Sequence, residues 1–218
     1  MSEIQKPKNK KPITCKVILV GDSGVGKTSI MNRYLNKYSP DIPATLNTSF
    51  YTKIETINKY KINFQIWDTV GQEQYRSLNT LFFKDSHICI IVYDITREES
   101  FENIKNYWYE SVITNGLEGI ICAIAGNKDD LSKYEKVDRN EVKQFCEEVN
   151  AMLKFTSAKD NSCVVELFTE LGEKFACSQF MKDLTQNNND KDKNEEKFNI
   201  DEKEKNVDNK DNNKNRCC

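Results

Sequence analysis

Gly21-Asp22-Ser23-Gly24-Val25-Gly26-Lys27-Thr28 places three glycines and, at its end, a lysine and a threonine hydroxyl within eight residues. Glycine reaches backbone dihedrals closed to other residues and, lacking a Cβ, comes close to an anion. The apolar run Val17-Ile18-Leu19-Val20 precedes this stretch and Ser29-Ile30-Met31-Asn32-Arg33-Tyr34-Leu35 follows it. A buried strand, a glycine-rich turn and a helix start therefore come in succession, which is the context a phosphate-binding loop needs. Amides at the new helix's N-terminus point at the phosphates, helped by the helix dipole. Lys27 then reaches the terminal phosphates, and the Thr28 hydroxyl holds Mg²⁺. The competing reading, a glycine turn before an unrelated helix, explains neither the lysine nor the hydroxyl.

Length and composition bound what surrounds this loop. The chain has 218 residues, enough for one domain with extensions. Its hydrophobic fraction of 38% is low for a globular protein, and both ends dilute it. Residues 1–12 are rich in Lys and Pro with almost nothing to bury. Beyond Thr185 the chain is Asn, Lys, Asp and Glu, with only Phe198, Ile200 and Val207 apolar. Neither end can offset its ordering entropy by burial, so both read as disordered. The division expected is a disordered basic arm at 1–12, a globular domain at 13–183 and a disordered tail at 184–218.

The net charge is −2, with acidic and basic residues interspersed. No basic stripe points to nucleic acid, and the Lys6, Lys8, Lys10, Lys11 cluster reads as a short solvated arm. There is no signal-peptide apolar region, no run long enough to span a bilayer and no N-terminal glycine for myristoylation. Cys15, Cys89, Cys122, Cys146, Cys163 and Cys177 are scattered, mostly inside apolar runs, and read as buried free thiols of a reducing compartment. Cys217 and Cys218, at the tip of the tail, are a separate case.

The elements that must position the phosphate loop alternate in type. Ile13 to Val20 is a strand apolar enough to be covered on both faces, and a helix ending near Asn36 follows the loop. Tyr38 to Asn47 contains Pro40 and Pro43 and reads as loop. Phe50 to Ile57 and Lys61 to Trp67 form a hairpin turning at Asn58-Lys59. The polar stretch Asp68-Thr69-Val70-Gly71-Gln72-Glu73 leaves its end, and Leu78, Leu81 and Phe82 suggest a short helix. Ile88 to Tyr93 is a buried strand. Ser100 to Ile113 is helical, with Phe101, Ile104, Trp108 and Val112 on one face. The strand Ile120 to Ala125 leads into Gly126-Asn127-Lys128-Asp129-Asp130-Leu131. Asp138 caps a helix carrying Val142, Phe145 and Val149. Leu153 to Thr156 is the last strand, Ser157-Ala158-Lys159 leaves it, and Val164 to Phe180 is the closing helix. This alternation means an α/β layered fold with a mostly parallel sheet and helices on both faces. In such sheets ligands bind beyond the carboxyl ends of the strands, so the loops at 21–28, 68–73, 127–130 and 157–159 converge on one crevice.

With these motifs in order, the sequence resembles the Ras-like small GTPases and, within them, the Rab family. The resemblance covers residues 13 to 180 and the C-terminus. It rests on the phosphate loop, Trp67-Asp68-Thr69-Val70-Gly71-Gln72-Glu73, Asn127-Lys128-Asp129-Asp130 and Ser157-Ala158-Lys159. It implies a P-loop NTPase with a Ras-like three-layer fold and a mostly parallel six-stranded sheet. The implied activity is hydrolysis of GTP to GDP and phosphate, with Mg²⁺, as a switch in vesicle traffic. Residues 21–29, from Gly21 to Ser29 and including Asp22, Ser23, Gly24, Val25, Gly26, Lys27 and Thr28, would then hold the phosphates. Asp130 would accept two hydrogen bonds from guanine N1–H and its exocyclic amine, a donor pair adenine lacks. Asn127 would buttress that site and the Lys128 stem would lie along the base. Ser157 and Ala158 would offer amides near the guanine oxygen, and Lys159 would pack on the ring. Asp68 and Thr45 would support Mg²⁺ with Thr28. Gly71 would approach the γ-phosphate, Gln72 would orient the attacking water with Lys27 as its catalytic companion, and Tyr38 would stack on the base edge. Phe50, Trp67 and Phe82 match an aromatic trio presented to effectors, although Trp67 also suits an ordinary core.

Some positions depart from the family pattern. The segment between Tyr34 and Thr45 is one residue shorter than usual, Asn47 stands where glycine is usual, and Val70 replaces alanine before Gly71. Ser23, where growth-signalling Ras proteins have glycine, and Val70 point to slow intrinsic hydrolysis. No arginine is expected in the phosphate crevice, so a stabilising arginine would come from a partner. A weakly hydrolysing GTP-binding interaction module is the alternative. A nucleotide kinase or ATPase would share the phosphate loop but leaves Asn127 to Asp130 unexplained.

The final Cys217-Cys218 pair resembles the double-cysteine ending on which Rab proteins carry two geranylgeranyl groups. Two lipid chains give stable anchoring where one is marginal. From residue 185 to 216 eight basic residues face nine acidic ones, so no polybasic patch supplies a second anchor. The resemblance implies a monomer on the cytoplasmic face of an endosomal or Golgi membrane, with a cytosolic pool when escorted. Its implied partners are an exchange factor, a GTPase-activating protein, a GDP-dissociation inhibitor or prenylation escort, and effectors.

Overall fold

The computed structural model describes residues 11–40, 43, 45, 48–70, 82–182 and 184. Contacts divide the chain into Met1–Cys177 and Ser178–Cys218, of which the first holds the sheet. The readings made at Asn47, Gly71, Gln72, Leu78, Leu81, Cys217 and Cys218 fall outside the described residues.

Six strands form one sheet among the described residues: β1 Ile13–Val20, β2 Ser49–Ile57, β3 Tyr60–Asp68, β4 Ile88–Asp94, β5 Ile121–Asn127 and β6 Met152–Thr156. Their order is β2-β3-β1-β4-β5-β6. All neighbours run parallel except the β2–β3 hairpin. β4 is buried at every position, as a central parallel strand covered on both faces must be. β2, at the edge, alternates between half-buried and exposed positions for most of its length. Asn58, in the left-handed region at φ 55°, makes the hairpin turn.

The helices are α1 Lys27–Tyr34, α2 over residues 98–115, α3 Arg139–Glu148 and α4 Val164–Cys177, with a 3₁₀ turn at Asp129–Tyr134. One sheet face, with Ile18, Val20, Ile91, Tyr93 and Ile124, packs against Phe101, Ile104, Trp108 and Val112 of α2 and Val142 and Cys146 of α3. On the other face Tyr34 of α1 stacks on Phe168 of α4, ring centroids 3.8 Å apart. Gly172 lets α4 come close there, because a Cβ would strike Ile57 and Phe64. Asp138 caps α3, its Oδ1 accepting from the Asn140 amide at 2.8 Å.

Two expectations need correction. The helix read as Ser100 to Ile113 starts at Glu98 and is interrupted by a π turn, Ile104–Trp108, before continuing as Tyr109–Asn115. The closing helix ends at Cys177 rather than running unbroken to Phe180. Of the six scattered cysteines, Cys15, Cys89, Cys122 and Cys146 are buried free thiols, whereas Cys163 is half-buried and Cys177 exposed.

The register aligns the strand ends. Leu19 pairs with Asp68, Asp94 with Asn127 and Asn127 with Thr156. The residues that leave β1, β3, β4, β5 and β6 therefore stand in one row along the carboxyl edge of the sheet.

Candidate functional site

The loop leaving β1 is shaped by positive dihedrals at Gly21, Gly24 and Gly26, φ 134°, 75° and 98°. A Cβ on Gly21 would fall onto the Val92 carbonyl, and one on Gly26 onto the Asn127 amide nitrogen. Only glycine fits these two positions, so the loop is held tightly between β4 and β5. Lys27 opens α1 and turns back over the loop, donating to the carbonyls of Gly21 and Asp22 at 2.8 Å each. Burial pushes the Lys27 ammonium down to about 8, with Asp68 and Asp22 partly opposing the shift. A buried cation whose hydrogen bonds go to backbone carbonyls is suited to an anion such as phosphate.

Beside it, Thr28 Oγ1 donates to Asp68 Oδ2 at 2.6 Å, and the Thr45 hydroxyl lies 2.6 Å from Thr28 Oγ1. Asp68 is fully buried and burial raises its pKa, against the Thr28 bond and the charge of Lys27. Its Oδ1 is a buried oxygen with no hydrogen-bond partner. Two hydroxyls and a carboxylate with a spare oxygen form an all-oxygen donor set, which fits a hard cation such as Mg²⁺. The Thr69 hydroxyl, bonded to the Leu19 carbonyl at 2.7 Å, fixes the chain where it leaves Asp68.

The second half of the site lies at β5 and β6. Asn127 is 2% exposed, and its Nδ2 donates to the Val25 carbonyl at 2.9 Å. Its Oδ1 accepts from Thr156 Oγ1 at 3.3 Å and from the Ala158 amide at 3.4 Å. One side chain thus ties the phosphate loop to both remaining motifs. Asp130 accepts from the Ser157 hydroxyl at 2.7 Å and lies 3.6 Å from the Lys159 ammonium. Lys128, at φ 68°, aims its ammonium at Asp94 Oδ2, 2.6 Å away. Burial alone would raise the Asp94 pKa, but bonds from Lys128 and Thr96 lower it overall. Arg33 grips the carbonyls of Ala158 and Lys159, both at 2.6 Å, and its guanidinium lies 3.8 Å from the Tyr38 ring centroid. Tyr38 is therefore brought to the Ser157–Lys159 side of the crevice.

A glycine-shaped loop, a buried lysine, an all-oxygen cation set and a carboxylate held beside a polar turn can together hold a nucleotide. The Ras family pattern matches residues 16–177. Ras-related protein Rab-22A of Mus musculus is 40% identical over 160 residues, covering 73% of this chain and 82% of that protein. The chain belongs to the Rab family of small GTPases. Rab-21 of Bos taurus is 43% identical over 157 residues, 72% of this chain and 70% of that protein. RabJ of Dictyostelium discoideum is 39% identical over 160 residues, and this chain spans 62% of its length.

As a Rab protein the chain is a GTPase, hydrolysing GTP to GDP and phosphate, and acts in vesicle trafficking. The weakly hydrolysing module is not favoured by this kinship. Elsewhere on this Rab domain the aromatic trio is contiguous. The Phe50 and Trp67 centroids are 4.8 Å apart and those of Trp67 and Phe82 5.7 Å. Phe50 is 47% exposed, so the cluster breaks the surface.

Arg97, which the sequence reading did not weigh, stands against the back of the phosphate loop and donates to the Ser23 carbonyl at 3.0 Å. Asn103 and Trp108, both bonded to Asp22, and Asp94 with Arg33 were also missed as parts of the Rab site. The signal for Asp94 and Arg97 was available: Asp94 ends β4 and Arg97 follows three residues on, where the other motifs were found. Asn103 and Trp108 carried none, because a polar residue and a core-facing aromatic in a helix read as ordinary helix positions and their bonds to Asp22 are long-range.

Proposed function

We propose that this Rab protein holds GTP and GDP in the row of strand-end loops, with the phosphates in the Gly21–Ser29 loop and guanine against Asp130. The observation that carries the reading is the Asn127 side chain, which bonds the phosphate loop and braces Ala158 at once. Lys27 holds the β,γ-phosphate end, and phosphate charge offsets the cost of its burial. Thr28, Thr45 and Asp68 would hold Mg²⁺, which supplies charge neutralisation to the phosphate oxygens. Thr45 belongs to the segment joining α1 to β2, so its meeting with Thr28 couples that segment to the nucleotide's terminal phosphate. Gly71 and Gln72 would complete the γ-phosphate side, with Gln72 orienting the water that attacks in line. Ser157, Ala158, Lys128, Lys159 and Tyr38 surround the base. The Phe50, Trp67 and Phe82 patch would receive effectors.

Beyond hydrolysis, the reading includes an exchange factor, a GTPase-activating protein, and an escort for the GDP form. No helix among the described residues is long and apolar enough to cross a membrane. Geranylgeranyl groups on Cys217 and Cys218 would anchor the protein to the cytoplasmic face of an endosomal or Golgi membrane, the polar segment before them acting as a tether. The test of the site is displacement of a fluorescent GDP from the full chain, with and without Mg²⁺. GTP and GDP should compete, ATP should not, and removing Mg²⁺ should speed release. Equal competition by ATP would refute the base assignment.

A further inference from the structure

Asp22, the second residue of the phosphate loop, is only 3% exposed and faces away from the loop's mouth into α2. Its Oδ1 accepts from Trp108 Nε1 at 2.9 Å and its Oδ2 from Asn103 Nδ2 at 2.7 Å. Arg97, at the start of α2, places one guanidinium nitrogen 3.9 Å from Asp22 Oδ2 and donates with the other to the Ser23 carbonyl at 3.0 Å. The Arg97 backbone is itself pinned. Its amide donates to the Asp94 carbonyl at 2.9 Å, and its carbonyl accepts from Ser100 Oγ at 2.6 Å. Asp94 in turn holds Lys128 of the base motif.

The grip on Ser23 has a geometric consequence. In a planar trans peptide the carbonyl of one residue and the N–H of the next point in opposite directions. Fixing the Ser23 carbonyl toward Arg97 therefore turns the Gly24 N–H away from Arg97, into the concave side of the loop. Gly24 sits at φ 75°, and a Cβ there would lie 3.6 Å from the guanidinium, so the loop and Arg97 meet with little space between them. A second positive charge also stands beside a loop that must hold several negative ones, near enough to lower the Lys27 pKa slightly.

We propose that Arg97 is a positioning residue for the bound nucleotide: it orients the Ser23–Gly24 peptide and adds positive charge behind the phosphate loop, and so prolongs nucleotide residence. The proposal rests on the reading that this loop holds the phosphates. The side chain is 43% exposed, so its electrostatic contribution is moderated by solvent and weakens with salt.

The test is release of fluorescent GDP, chased with excess unlabelled GDP, from full-length wild type, Arg97→Ala and Arg97→Lys at low and high salt. Arg97→Ala should release GDP roughly three- to tenfold faster at low salt, with a smaller ratio at high salt. Arg97→Lys, which keeps the charge and one donor, should fall between the two. Release from Arg97→Ala at the wild-type rate would overturn the role. So would faster release in both variants matched by an equal loss of thermal stability in the nucleotide-free proteins, which would mark Arg97 as a fold contact only. Should Arg97→Ala not fold, Arg97→Lys against wild type decides, with its salt dependence as the readout. A wild-type protein that fails to retain GDP would overturn the phosphate-loop reading itself, an outcome distinct from unchanged release in the variants.

Discussion

Asn127 and Val25 are joined by a 2.9 Å hydrogen bond across 102 residues of chain, the carboxamide of one motif holding the backbone of another. Because Asn127 Oδ1 also accepts from Thr156 and Ala158, its loss leaves several buried polar groups without a partner. Each such group costs about 1–3 kcal/mol. Asn127→Ala should therefore lower unfolding stability by at least the cost of one such group, about 1–3 kcal/mol, and weaken GDP binding by one to two decades or more. Denaturant melts and fluorescent-GDP titration check both. A variant with wild-type affinity would show that the two halves of the site are not coupled through Asn127.

Asp130 has one carboxylate oxygen on the Ser157 hydroxyl and the other 3.6 Å from Lys159, an arrangement that orients it. An ionised acceptor for two guanine donors is worth about 1.5–3 kcal/mol. Asp130→Asn should lose one to two decades of GDP affinity and gain affinity for xanthosine diphosphate, whose exocyclic oxygen wants a donor. Competition titration with the two diphosphates reads this directly, and unchanged GDP affinity would refute the base contact.

Much of this site was legible because its residues follow strand ends, and strands of continuous apolar residues are easy to find. β1 begins and ends at Ile13 and Val20, where its apolar run does. The phosphate loop, Asp68, Asn127 and Ser157 were each placed by that logic. Asn127 was read only as a buttress of the base site, and its bond to Val25 needed the parallel register of β1, β4 and β5 to become visible. Trp108 was read as a core aromatic, which it is, but its indole N–H also donates to Asp22 from the end of the π turn, 86 residues away in sequence. Arg97 follows Asp94-Ile95-Thr96 and was passed over because a single arginine at a helix start resembles any solvated one. Its meaning lies in the Ser23 carbonyl, 74 residues away.

His87 is the single histidine of the chain. Its Nδ1 accepts from the Lys16 amide at 3.0 Å, and its ring packs edge-on to Phe175. Burial lowers its pKa, Asp85 opposes this and Lys16 adds to it. The folded state therefore binds a proton less readily than the unfolded chain does. Stability contributed by neutral His87 is intact above the ordinary value of about 6.5 and is lost as pH falls below it toward the lowered folded value. Denaturant melts from pH 7 to pH 5 should show falling stability, and His87→Gln should flatten part of that slope. An identical slope in the variant would assign the dependence to the carboxylates.

The proposed lipidation of Cys217 and Cys218 makes a prediction about location that is separate from nucleotide chemistry. Two lipid chains give stable membrane binding and none gives no anchor. Changing both cysteines to serine should leave GDP binding unaltered and move the protein from the membrane fraction to the cytosol. Fractionation and imaging of the tagged full chain check it, and membrane association that survives the change would place the anchor elsewhere.

The central claim is that the strand-end crevice binds Mg²⁺ and GTP and cleaves the γ-phosphate. Single-turnover hydrolysis of γ-labelled GTP by the purified full chain tests it most directly, run with Mg²⁺, without it, and with Gln72→Leu under stimulation by an activating protein. The account predicts slow, Mg²⁺-dependent release of labelled phosphate from wild type, strongly accelerated by the activating protein, and little acceleration in Gln72→Leu. Phosphate release that is absent in wild type even when stimulated, or equal in wild type and Gln72→Leu, would contradict it.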